Sequence, residues 1–171
     1  HLGSVDAEWA EDASYRTSFE SDPDDSLRKI LTGMIVLSGF ETGGERLQAA
    51  LDSADQEDEH SCFSDNTHRD MVQDVRGVQN VYRGQYGDVQ GTSLKDVVAA
   101  KDEALADELD AKIAESLSLA EDLEPPFDQE IATGNEEGRA RVQALIVSLR
   151  EQEGLLEEAF RLFGFDIPEV E

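Results

Sequence analysis

Residues 26–38 read SLRKILTGMIVLS, and their apolar side chains recur at the three- and four-residue spacing of an α-helix. The stripe consists of Leu27, Ile30, Leu31, Met34, Ile35 and either Leu37 or Ser38. Such spacing places the apolar side chains on one face of a helix, which must then be covered by another element. Just upstream, residues 21–26 are rich in Ser and Asp, which cap a helix N-terminus.

Three later stretches repeat the helical spacing, within residues 71–82, 102–123 and 136–163. A shorter helix is predicted at residues 94–100, capped by Thr92 or Ser93, and no alternating strand of useful length occurs. The sequence therefore predicts an all-α helical bundle with about four main helices. Its organisation is a lead-in segment at residues 1–24, the bundle at residues 25–164 and a tail at residues 165–171. The lead-in aromatics Trp9, Tyr15 and Phe19 are expected to pack on the bundle.

Four glycines interrupt the first stripe and its continuation: Gly33, Gly39, Gly43 and Gly44. A glycine inside a helix costs up to about 1 kcal/mol relative to alanine. The sequence leaves two explanations open, a close helix–helix approach or a helix break near Gly43 and Gly44.

Charge limits the partners of the chain. Its 40 Asp and Glu residues against 14 Lys and Arg residues give a formal net charge of −26. Such a surface repels nucleic acid and anionic membranes and attracts cations, including metal ions. Because the acids are spread along the whole chain, they are also typical of adaptation to a saline habitat.

Targeting and redox features are few. The single cysteine, Cys62, excludes an intrachain disulfide. No apolar run approaches the roughly 20 residues of a membrane-spanning helix. The chain begins with His1 rather than Met, so the lack of a visible signal peptide gives no evidence for the cytoplasm.

The side chains best suited to chemistry are concentrated in residues 55–68, DQEDEHSCFSDNTH, here called the polar motif. It contains carboxylates, hydroxyls, a thiol and two of the three histidines of the chain. Glu57 and His60 are three residues apart and would share one face of a helix, as in carboxylate-bridged metal bundles. Glu41 and Glu45 could supply further carboxylates. Oxygen and imidazole ligands together suit iron, zinc or manganese.

The polar motif has two other interpretations, of which the first stays open and the second is disfavoured. Its Ser, Asp, Asn and Thr residues could form a capping and turn cluster where two helices meet, without any ligand. Cys62 and His60 are close in sequence, but nucleophile and base usually come from separate elements. A nucleophilic site is therefore disfavoured, and no phosphate loop or dinucleotide fingerprint is present.

The polar motif, together with Gly44-Glu45-Arg46-Leu47 before it, resembles the imelysin family of iron-regulated bacterial envelope proteins (peptidase M75). Residues 80–86, NVYRGQY, and Pro126-Phe127-Asp128 add to the resemblance, which extends from about Trp9 to Gly164.

The resemblance implies one half of the two-bundle imelysin fold, in a periplasmic or outer-membrane protein involved in iron uptake. Its partners would be the N-terminal half of the same protein and a metal ion, with iron or zinc as the expected metal. The functional site would lie between the halves. The residues here that would face it are Glu41, Arg46, Glu59, His60, Ser61, Asp65, Asn66 and His68.

This chain departs from the family pattern in one respect. The family signature Gly-x-His-x-x-Glu is absent, because His1, His60 and His68 are followed three residues on by Ser4, Phe63 and Met71. The chain thus looks like the C-terminal half, and no catalytic residue is assigned to it. Two alternatives accompany the iron-uptake role: part of a metallopeptidase, or a structural interface domain in which Arg46 binds the carboxylates of the motif and holds it rigid.

Overall fold

The computed structural model describes residues 1–167, and it confirms an all-α bundle. The outer part of the predicted tail, residues 168–171, lies outside the described residues. The α-helices are α1 (Leu2–Trp9), α2 (Ser14–Ser21), α3 (Pro23–Ile35), α4 (Ala49–Ser53), α5 (Thr67–Arg83), α6 (Leu94–Ala99), α7 (Glu103–Glu121), α8 (Phe127–Ile131) and α9 (Glu136–Leu162). A two-residue hairpin, β1 (Gln85–Tyr86) and β2 (Val89–Gln90), pairs antiparallel after α5.

Short polar side chains start the main helices. Asp22, in the stretch that the sequence predicts as a cap, accepts a hydrogen bond from a backbone N–H in the first turn of α3. Asp102 and Asn135, for which no cap was predicted, do the same for α7 and α9. Ser93, one of the two predicted caps, forms a capping box with Asp96 at α6. These contacts satisfy N–H groups that a helix leaves without partners.

A π-helical segment, Val36–Gln48, joins α3 to α4, so the helix break expected near Gly43 and Gly44 is absent. The alternative explanation, close approach, is confirmed at two of the four glycines. A Cβ atom at Gly39 would overlap the Glu153 carboxylate of α9, and one at Gly43 would lie 3.6 Å from Leu149 Cβ, also on α9. These glycines therefore lie where α9 comes close to the backbone of this segment.

The core consists of two apolar clusters along the bundle axis. The first joins α3, α6, the N-terminal part of α7 and the C-terminal halves of α5 and α9. The second joins the π-helical segment, α4, the end of α7, α8 and the N-terminal halves of α5 and α9. Buried polar contacts also occur in the bundle, including Gln152 Nε2 to Ser38 Oγ (2.8 Å) and Ser116 Oγ to Ser148 Oγ (2.8 Å).

The lead-in residues form α1 and α2, which contain no buried residue. Their aromatic rings contact one another, with Trp9 5.1 Å from Tyr15 and 5.2 Å from Phe19 between ring centroids. Ser26 Oγ donates a hydrogen bond to the Phe19 carbonyl and ties α2 to α3. The lead-in is thus held by its own aromatic cluster and by α3.

The polar motif lies between α4 and α5, beside the second apolar cluster. The hairpin and α6 follow the opposite end of α5. Among the helices of residues 1–167, none combines the length and the hydrophobicity that a membrane span requires.

Candidate functional site

The polar motif is a compact loop rather than a helix. A single 3₁₀ turn, Gln56–Asp58, is capped by the Asp55 side chain, and the backbone is extended at Glu59. The helical register that would place Glu57 and His60 on one face is therefore absent, because the turn ends before His60. Metal binding by this pair remains a prediction, without that geometric support.

The buried side of the motif is built around Glu59. Its side chain is only 5% exposed, and its Oε2 accepts a hydrogen bond of 3.0 Å from Thr67 Oγ1. Thr67, itself fully buried, also accepts from the Ser61 backbone N–H at 3.1 Å. Glu59 Oε1 is buried and has no hydrogen-bond partner in the described part of the chain. Thr67 thus joins the loop to the first turn of α5.

Burial raises the pKa of the Glu59 carboxyl, because a low-dielectric surrounding disfavours its charged form. The hydrogen bond from Thr67 opposes this rise, whereas the nearby carboxylates of Asp128 and Asp65 add to it. Asp128, on α8, also has a buried oxygen, Oδ1, without a partner among residues 1–167. The buried side therefore brings two carboxyl groups from distant parts of the chain near each other.

The open side of the motif faces Asp74, on α5. Thr42 Oγ1 donates a hydrogen bond of 3.4 Å to Asp74 Oδ2. Burial raises the pKa of the Asp74 carboxyl, and the nearby charges of His60 and Arg46 act against this rise. His60 is exposed and Asp74 is half-buried. The charges of an imidazole and a guanidinium from two other segments thus act on the Asp74 carboxyl.

Arg46 pairs with Glu41 of its own segment, at 3.1 Å between Nη2 and Oε2. The two residues are five apart, a separation that matches the i→i+5 bonding of a π-helix. The π-helical segment therefore brings together two residues that the sequence assigned separately to the site. The sequence predicted that Arg46 would bind a carboxylate of the polar motif. In the structure Arg46 instead pairs with Glu41, which lies outside the motif.

The remaining motif residues bind one another and α5. Ser61 Oγ donates a hydrogen bond to Asp70 Oδ2, and Asn66 Nδ2 donates to Asp70 Oδ1 at 3.1 Å. Gln56 Nε2 donates to Asp65 Oδ1 at 3.1 Å, where Asp65 adopts a left-handed backbone conformation. These contacts are the kind that the capping and turn interpretation predicts, and they hold the loop in a defined shape.

His68 lies apart from His60. It lines a cavity of about 220 Å³ between α5 and α7, together with Arg69, Arg76 and Glu121. Its Nδ1 is buried and has no partner in the described chain. His60 does not line this cavity, so the two motif histidines have different surroundings.

Sequence reasoning did not assign Asp70, Asp74 or Asp128 to the site. Asp70 and Asp74 follow Asn66 by four and eight residues and are one helical turn apart on α5. That four-residue spacing places both carboxylates on the helix face next to the motif, and it could have identified them from the sequence. Asp128 is separated from Glu59 by most of the bundle in sequence, so only the tertiary fold brings it near.

As a metal centre, the site is partial. Within residues 1–167, no three His, Cys, Asp or Glu side chains are arranged to hold a metal ion. His60 and Asp74 offer an imidazole and a carboxylate, whereas a structural zinc site takes four ligands and a catalytic one three plus water. The donors present here therefore fit part of a coordination sphere.

Comparison with protein families gives one match. The family model for imelysin, peptidase M75, matches residues 1–156, which include the polar motif, the π-helical segment and α8. Comparison with the curated proteins gives no match. With an all-α bundle and a family match over most of its length, the chain belongs to the imelysin family.

Proposed function

We propose that this domain is the C-terminal half of an imelysin-type iron-uptake protein of the bacterial periplasm or outer membrane. In this proposal, it contributes His60 and Asp74 to a metal or ligand site that the N-terminal half completes. Iron is the expected cargo, and zinc is the alternative metal with similar ligands.

The observation that carries the proposal is the position of His60 beside the face of α5 that carries Asp74. Ser61, the residue after His60, donates a hydrogen bond to Asp70, which lies one helical turn before Asp74. The charge of His60 also opposes the effect of burial on the pKa of the Asp74 carboxyl. Imidazole and carboxylate are common ligands of iron and zinc. Thr42, which donates to Asp74, would orient that carboxylate as an outer-shell partner.

One feature supports completion of the site by another surface. The Phe63 ring, in the middle of the polar motif, is fully exposed. A loop held by internal hydrogen bonds while presenting an aromatic ring is suited to contact a partner surface, since aromatic residues are enriched there.

The proposal is tested by metal content. The chain is combined with the N-terminal half, loaded with iron or zinc, desalted and measured by inductively coupled plasma mass spectrometry. We expect about one metal ion per complex in the wild type, and loss of most of it in the double variant His60→Ala, Asp74→Asn. Asp88→Asn, in the turn of the hairpin, removes one carboxylate far from the motif and should leave the metal content unchanged.

Unchanged metal in the double variant, or no metal in the wild type, would overturn the proposal and favour a structural interface role. The metallopeptidase alternative makes a further demand, because it needs an open coordination position and a general base. Metal-dependent cleavage of a peptide by the combined halves, lost in the same double variant, would support that alternative.

A further inference from the structure

A cavity of about 620 Å³ opens near the first apolar cluster, away from the polar motif. It lies between the α2–α3 connection, α6 and the end of α9. Its volume is within the range of about 300–1,000 Å³ found for small-molecule sites. None of the residues assigned to the polar motif lines it.

The wall of this cavity is mainly apolar. Its principal apolar side chains are Phe19, Leu27, Ile30, Val81, Val97 and Phe163. Two of these side chains are exposed to solvent, Val81 by 47% and Val97 by 38%. Such an apolar patch stands out on a chain with 40 acidic residues. An apolar ligand would therefore remove from water a surface that the fold itself leaves uncovered.

The cavity continues along the bundle as a groove between α3 and α5. A neighbouring hollow of about 300 Å³ shares Ile30 and Val81 with it and extends past Gly33 and Gly77. At both glycines, an added Cβ would meet no atom within 4 Å, so the groove is open there. Together the two hollows follow α3 from Leu27 to Met34, about 10 Å at 1.5 Å per residue, a length that suits an extended alkyl chain.

A cation stands beside the cavity. The Lys101 ammonium lies 5.3 Å from the centroid of the Phe163 ring, and both residues line the cavity. No carboxylate of residues 1–167 forms an ion pair with Lys101, in contrast to Lys29, Lys95 and Lys112. An exposed ammonium next to an apolar cavity is the complement of an anionic head group attached to an apolar chain.

Two carboxylates also line the cavity, and their charges must be considered. Glu20 forms an ion pair with Arg16 at 2.8 Å. Asp24 lies in the first turn of α3, where the N-terminal end of the helix stabilises negative charge. The overall charge of −26 opposes anion binding, but exposed charges beyond about 8 Å are largely screened at physiological ionic strength.

We propose that this cavity binds a single-chain fatty acid, with its alkyl chain along Ile30 and Val81 and its carboxylate at Lys101. The site is separate from the polar motif and does not depend on the proposed metal function. The charge complementarity of Lys101 and the length of the groove select a monocarboxylate with an extended chain over a neutral apolar molecule.

The test is isothermal titration of the 171-residue chain with hexanoate, octanoate and decanoate below their micelle concentrations. Each added methylene should tighten binding about fourfold, from the free energy of burying one methylene. Lys101→Met should weaken decanoate binding about fivefold but leave decanol binding unchanged. Arg69→Met removes a cation outside the cavity and serves as the matched control. Val81→Glu, at a position exposed enough to tolerate the change, should abolish decanoate binding.

Several outcomes would overturn the proposal. One is no measurable binding of decanoate, and another is equal affinity for all three chain lengths. A third is equal loss of decanoate and decanol affinity in Lys101→Met, because the head group would then not be recognised. Circular dichroism of each variant confirms that it is folded before titration.

Discussion

Truncation of Phe127 to alanine is expected to lower the free energy of unfolding by about 3–5 kcal/mol, because it removes a fully buried aromatic ring from the second apolar cluster. The ring anchors α8, a helix of five residues that has little stability of its own. Urea unfolding followed by far-ultraviolet circular dichroism measures the loss.

The polar motif contains a matched control for this truncation. Phe63 is fully exposed, so Phe63→Ala should change the free energy of unfolding by less than about 0.5 kcal/mol. A loss of less than about 1 kcal/mol in Phe127→Ala, or equal losses in the two variants, would contradict the packing described for α8.

Replacement of Thr67 by valine should cost about 2–3 kcal/mol at neutral pH, although the side-chain shape is nearly kept. The hydroxyl donates to the buried Glu59 carboxylate and accepts from the Ser61 N–H, so valine leaves both groups without this partner. A buried group that loses its hydrogen-bond partner bears its full desolvation cost, which is larger for a charged group. Thr67→Ser keeps the hydroxyl and should lose much less.

The cost of Thr67→Val should depend on pH in a defined direction. The pKa of Glu59 is raised in the folded protein, so the folded state favours the protonated carboxyl. Burial of Glu59 therefore destabilises the protein above its folded pKa, and stability is regained as the pH falls through that value towards the unfolded pKa of about 4.3. Loss of the Thr67 hydrogen bond raises the pKa further, so the difference between variant and wild type is largest at neutral pH.

Glu59→Gln provides the check on this pH dependence. In the Glu59→Gln variant, Thr67→Val should lower the free energy of unfolding by less than it does in the wild type. This loss should also stay the same between about pH 7 and pH 4, because Gln does not titrate. A Thr67→Val cost that is the same at both pH values in the wild-type background would contradict the assignment of Thr67 as a donor to a charged Glu59.

Helix periodicity was sufficient to predict the bundle. Leu31, Met34 and Ile35 of the predicted stripe are buried in the first apolar cluster, Leu27 and Ile30 are partly buried against it, and Ser93 caps α6 as expected. The π-helical segment was not foreseen, because local spacing predicts an ordinary helix there, with Glu41 and Glu45 as the neighbouring pair rather than Glu41 and Arg46.

The candidate site was located in sequence but not resolved into its parts. Composition identified residues 55–68, whereas the structure divides them into a buried side at Glu59 and an open side at His60. Adjacent residues in an extended backbone point in opposite directions, which a helical interpretation of Glu57 and His60 could not anticipate. Asp128 comes near Glu59, and Thr42 contacts Asp74, only through tertiary folding.

The most direct test of the proposed metal site is an anomalous difference map, at the zinc or iron edge, of crystals of the chain combined with its N-terminal half and soaked in that metal. Our proposal predicts a peak about 2.0–2.1 Å from a ring nitrogen of His60 and about 2.0–2.2 Å from an Asp74 oxygen. A fully occupied peak bound only by residues of the N-terminal half, with His60 and Asp74 unliganded, would contradict it.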